Sequence, residues 1–164
     1  MLSDPARETL RPLVMTLRII VIALAMGVIF FGIFAAVQNA EKPLALGTKM
    51  NYLFLAIAGP MFLAGFVVPR LLPMRAATSE AGAAAAVKAI FDPIQTATIV
   101  GCALFEAAAF ANLFVYLQEG ELVHLAISGI ALLCILAHFP IPGRIEQRIE
   151  EQLQARRDEQ QFKT

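Results

Sequence analysis

The sequence predicts an all-α protein, a bundle of four transmembrane helices built as two like-oriented helical hairpins, with a cytoplasmic amphipathic helix at the C-terminus. Three observations predict it. The chain of 164 residues is 59% hydrophobic and only 16% charged, against about half and about a quarter in an ordinary soluble domain. Its mean hydropathy is +0.70. Its apolar residues fall into four runs, each close to the roughly 20 residues that carry a helix across a hydrocarbon core of about 30 Å.

The first run, Ile19–Val37, has no charged residue. Tyr52–Pro69 is the second, Pro93–Leu117 the third and Leu122–Ile141 the fourth. Backbone polar groups in lipid must pair internally, so each run is expected to be a helix. The spans are placed at about 13–37, 52–72, 93–117 and 122–141, followed by a helical tail over 143–164. Arg7, Arg11 and Arg18 precede the first run as they would a signal peptide. The run is longer than a typical h-region and no small-x-small cleavage site follows it, so an uncleaved span is expected.

The chain carries 13 Lys and Arg. Three precede the first span; Arg70, Arg75 and Lys88 lie between the second and third; Arg144, Arg148, Arg156, Arg157 and Lys163 follow the fourth. Only Lys42 and Lys49 occupy the remaining connections. This split predicts a multi-pass protein of the bacterial cytoplasmic (inner) membrane with both termini in the cytoplasm. Tyr52 and Tyr116 fall near the outer helix ends, where such rings are favoured.

The connection Gln118–Glu121 is so short that spans three and four must be antiparallel neighbours. Asp92-Pro93-Ile94-Gln95 carries N-terminal capping chemistry and predicts the start of span three. Ser79–Phe91 then reads as a separate short cytoplasmic helix, with Val87, Ile90 and Phe91 resting on the membrane surface. Pro140, Pro142 and Gly143 end span four. Beyond them Ile145, Ile149 and Leu153 form one apolar stripe, suited to headgroups, to another helix, or to a solvated extension.

Shifted by 80 residues, Thr16–Glu41 lies on Thr96–Glu121 with eight identities in 26 positions. With a shift of 70, Leu55–Gly59 lies on Leu125–Gly129. Apolar segments also match by chance; as a true duplication, the pattern predicts an approximate two-fold axis along the membrane normal.

Candidate site residues are the polar groups inside the spans. Glu106 lies midway along span three, where insertion of an acid costs roughly 2.5–3.5 kcal/mol. It is expected to face the bundle or a partner, mostly in its neutral form. It reads either as a proton or cation site or as a hydrogen-bonded structural group. Asn112 is placed level with Ser128 on span four and Ala56 on span two, and is expected to donate to one of them. Pro60, which cannot donate to the carbonyl of Ala56, marks a helix kink. Cys102 and Cys134 read as apolar fillers without metal-ligand spacing, and His124 and His138 as interfacial. No catalytic motif, phosphate loop or cofactor signature is present, so no enzyme activity, cofactor, metal, nucleic acid or small-molecule substrate is expected. The expected partners are the lipid bilayer and a second copy or another membrane protein. The leading function is a non-catalytic structural or accessory component acting by helix association; the alternative is a proton- or ion-translocating component using Glu106.

The segments TLRIIVIALAMGVIFFGIF and TIVGCALFEAAAFANLFVYLQEG, with FVVPR between them, resemble small uncharacterised bacterial (planctomycete-type) four-helix membrane proteins. That resemblance implies the four-helix arrangement and no activity. Spans two and three are more weakly similar to the hairpin of rotary ATPase proteolipids, which carries a mid-membrane Glu on its second helix, where Glu106 stands. The proteolipid's glycine ladder is missing from span two and the intervening loop is longer.

Overall fold

The computed structural model describes residues 4–40, 51–71 and 83–161. The 41–50 connection with Lys42 and Lys49, the Tyr52 side chain, Arg75, residues 79–82 and Lys163 lie outside the described residues. All regular structure among the described residues is helical, in five elements: α1 (Asp4–Gln38), α2 (Asn51–Leu71), α3 (Ala83–Glu119), α4 (Leu122–Ala137) and α5 (Pro142–Gln161). Ala6–Gln38 of α1 and Ala85–Glu119 of α3 are each long and apolar enough to cross a membrane. Leu122–Ala137 and Pro142–Ala155 reach that standard only as a pair bent by 57°, and Ala58–Leu71 of α2 is a shorter apolar helix. The four-span expectation is therefore met at two helices, or three with the bent pair.

α3 is the hub, packed against α1, α2 and α4, with α1 also touching α4. α1 meets it through a seam at Ala6, Leu10, Val14, Leu17, Val21, Ala25 and Val28, whose repeated steps of four, four and three hold one helix face toward a partner. The two helices run parallel. A Cβ on Gly27 would lie 3.3 Å from Glu106 and one on Gly32 3.7 Å from Leu113, while Asn39 bonds to Tyr116. Residue i of α1 thus sits near residue i+80 of α3, the offset at which their sequences match. The hairpins are not equivalent, however. α3 and α4 pack closely, whereas α1 and α2 make at most a marginal contact among the described residues. The two-fold packing expected of a duplication is broken there because α2 turns its rings, Phe62 and Phe66, onto Phe105 of α3.

Three expected boundaries are corrected. α3 does not start at Asp92-Pro93 but runs unbroken from Ala83 through Pro93, so Asp92 is no cap; its carbonyl instead accepts from the Thr96 hydroxyl. The separate helix expected over Ser79–Phe91 is, from Ala83 onward, the beginning of α3. Nor do Val87, Ile90 and Phe91 rest on a membrane surface: all three are fully buried, in one cluster with Leu10 and Leu17 of α1 and Ile145 and Ile149 of α5. An interior proline costs about 3 kcal/mol, and burying a large apolar side chain returns about 1.5–3 kcal/mol, so three such side chains carry the helix through Pro93. The stripe of the tail is settled in the same way, as packing on another helix of the same chain. α4, finally, ends at Ala137 and not at Ile141, with the His138 amide still bonded to Cys134 and Ile135. Phe139 precedes a proline, which disfavours helix; at 16 residues α4 rises only about 24 Å. Pro60 lies inside α2, which continues through it.

At Gly65 α2 approaches α3 closely: a Cβ there would meet the Phe105 ring at 2.8 Å. Gly65→Ala should therefore destabilise the α2–α3 contact by about 1–3 kcal/mol. Gly27→Ala meets the movable end of Glu106 at 3.3 Å and Phe110 at an ordinary contact distance of 3.6 Å and should change stability by less than half as much; denaturant titration of the two variants in detergent checks the order.

Candidate functional site

Two polar assemblies flank the apolar middle of α3. The first is at its C-terminal end. Gly120, with φ of 73°, makes a tight turn that only glycine adopts without strain, and brings α4 back along α3. Asn112 of α3 and His124 of α4, both 0% exposed, meet there. The Asn112 amide nitrogen donates to the Ala108 carbonyl at 2.9 Å. Its oxygen is therefore turned to His124 Nδ1, at 2.8 Å, and accepts from it. The Ser128 hydroxyl, also buried, reaches the carbonyls of Ala109 (3.1 Å) and His124 (2.8 Å). A ladder of side-chain hydrogen bonds thus fastens α4 to α3.

With Nδ1 occupied, His124 Nε2 faces the Glu121 carboxylate at 3.9 Å, both side chains being almost wholly buried. Ligand atoms of Glu119, Glu121 and His124 lie within 4.8 Å of one another, a donor set of the type that holds zinc or manganese, although none of the three lacks a partner. On the neighbouring helix the Asn39 amide donates to the Tyr116 carbonyl at 2.6 Å. Tyr116, expected at the membrane interface, is only 6% exposed.

The expected pairing of Asn112 with Ser128 or Ala56 is corrected. Asn112 bonds within α3 and to His124, and Ser128 bonds to backbone carbonyls. His124, expected to be interfacial, is the buried centre of the cluster. The register of the short turn contains the signal for it: positions 112 and 124 lie nearly level across the turn.

Glu106, the sharpest sequence candidate, does not join this cluster. It is half-buried between α3 and α1 with Oε1 against Gly27, one helical turn from the Cys102 thiol. Three aromatic rings, Phe62, Phe66 and His138, contact the adjacent, fully buried Phe105 at 5.2, 4.9 and 5.5 Å respectively.

The second assembly lies at the opposite end, where the chain breaks between α4 and α5. Arg18 Nε donates to the Pro140 carbonyl at 3.1 Å and its guanidinium lies 5.5 Å from the Phe139 ring centre, a cation–π distance. This clamp holds the bend open over a cavity of about 730 Å³ between α2, α3 and the α4–α5 break. Arg70, Arg144 and Arg148 stand on its walls, with Glu151 beside them. Gly101 lets Pro69 of α2 and His138 close its inner end. Glu106 does not line this cavity. No sequence motif announced it, since its walls come from residues as distant as Leu17 and Glu151.

Fold and site together define an all-helical bundle with an apolar exterior. Comparison with protein-family models, curated proteins and solved structures returned no match to this chain, so the resemblance to planctomycete-type membrane proteins gains no support from relatives.

Proposed function

We propose that the chain is a four-span protein of a bacterial cytoplasmic membrane, with both termini inside, that acts without catalysis by associating with other helices. One observation carries this reading. Met15, Ile19, Ile22, Met26, Phe30, Ile33, Phe34 and Val37 of α1 are all large, apolar and exposed, along a stretch rising about 33 Å, close to the thickness of a hydrocarbon core of about 30 Å. Leu63 and Val67 of α2 and Ile130, Leu133 and Leu136 of α4 continue the same surface. A helix apolar on its outward as well as its inward face is stable in lipid and not in water. α2 and the α4 segment supply the second and fourth spans, and α5 is the cytoplasmic tail. The strong bias of Lys and Arg to one side supports the orientation, and the α1–α3 offset of 80 supports an origin by duplication.

Reporter fusions test the topology. A fusion at the C-terminus should report the cytoplasmic side and one in the 41–50 connection the outer side; three spans would instead put the two termini on opposite sides. The position of Glu106 against Gly27, away from the cavity, favours a packing role over an ion path. Glu106→Gln should leave assembly and the proton permeability of reconstituted vesicles unchanged. Proton flux in the parent that the variant loses while still assembling would overturn this assignment.

A further inference from the structure

We propose that the cavity at the α4–α5 break is a binding site for the headgroup of an anionic phospholipid. The inference rests on the membrane reading above and adds a ligand to it. The cavity has the amphiphilic lining such a molecule needs. Arg70, Arg144 and Arg148 supply three guanidinium groups, against one acid, Glu151, while Leu17, Ile94 and Phe139 supply apolar walls. Its volume of about 730 Å³ falls within the usual 300–1,000 Å³ of ligand sites. Guanidinium groups match phosphate oxygens in bidentate geometry, and basic pockets between membrane helices at the cytoplasmic face are suited to anionic headgroups. The arginines belong to the side that the charge bias assigns to the cytoplasm. The fourth arginine of this region, Arg18, is already committed to Pro140 and Phe139 and keeps the bend in shape. α5 also begins here, and the positive end of its dipole adds to the same field.

The shared chemistry is a phosphate oxyanion, and the apolar walls commit the site to a lipid over a free anion. The headgroup lies among Arg70, Arg144 and Arg148, and the acyl chains leave along the apolar exterior of the bundle.

The test uses the full chain, purified in mild detergent and exposed to phosphatidylglycerol, phosphatidylcholine or inorganic phosphate, with retained lipid measured by native mass spectrometry. Phosphatidylglycerol should be retained through delipidation and phosphatidylcholine should not. The double variant R144Q/R148Q should retain about tenfold less, and R70Q should show a smaller loss. All three side chains are exposed, so the variants are expected to unfold at the parental denaturant midpoint; if the double variant does not, R70Q decides alone. Equal retention of both lipids, undiminished retention by the folded variants, or displacement of phosphatidylglycerol by millimolar phosphate would overturn the proposal. Extraction of the chain from membranes by alkaline carbonate would instead overturn the membrane reading, so the two failures are separable.

Discussion

Truncation of Phe105 to alanine is expected to cost about 3 kcal/mol. The ring is wholly buried and joins three helices: Phe62 and Phe66 of α2 press on it edge-first, and His138 at the end of α4 tilts against its other side. On the proposed membrane reading, lipid offers apolar groups the same comfort as a protein interior, so the transfer gain that dominates in soluble cores is largely missing at this ring. What remains is lost contact. A void of about 100 Å³ at about 24 cal/mol per Å³ is about 2.4 kcal/mol, and the aromatic contacts add about 0.5–1.5 kcal/mol each before relaxation. Phe105→Leu should recover about half. Denaturation by SDS in mixed micelles measures both, and a loss below about 1 kcal/mol for the alanine variant would show that α2 is not held by this ring.

Asn112→Leu should cost about 1–2 kcal/mol, because it deprives the His124 Nδ1–H of its acceptor where water does not reach. Membrane-embedded hydrogen bonds measured elsewhere average about 0.6 and reach about 1.7 kcal/mol. The upper part of that range is the relevant one, since both side chains are completely buried. His124→Phe alone should cost a similar amount, stranding the Asn112 oxygen. The double variant, with both polar partners gone, should be clearly more stable than the sum of the single losses predicts. Strict additivity of the two would mean that the contact contributes nothing to joining α3 and α4.

The contrast between these two sites shows what could be read from residues alone. Helical character, the adjacency of α3 and α4, and the like orientation of α1 and α3 follow from run lengths, a four-residue connection and an internal match, whereas the packing of α1 on α3 at an offset of about 80 is visible only in the structure. Those signals are local or periodic. Asn112 and Ser128 were legible as contact residues for the same reason, since polar groups on apolar helices must turn inward, but their partners were displaced by one turn. The short loop uses fewer residues than a symmetric count allows, so Asn112 lies beside His124 rather than Ser128. A lone histidine near a span end looks interfacial until that register is known. Asp92-Pro93 carries every mark of a helix start, and only the burial of Val87, Ile90 and Phe91 between distant helices overrides it. The arginine-lined cavity was the least legible feature. Its arginines are visible as topology signals, but their convergence depends on a bend after Ala137 and on α2, whose Arg70 stands 74 positions before Arg144.

The bond from Arg18 to the Pro140 carbonyl spans 122 positions of the chain, and this has a consequence for biosynthesis. α1 holds a donor whose acceptor is synthesised 122 residues later. At roughly 5–20 residues per second, that leaves the N-terminal helix waiting roughly 6–24 s for its final docking partner. During that interval α1 must be stored at the insertion machinery or alone in lipid, with its arginine at the water boundary. The elbow between α4 and α5 then acts as a latch, closing onto α1 only once the four helices before it have been made.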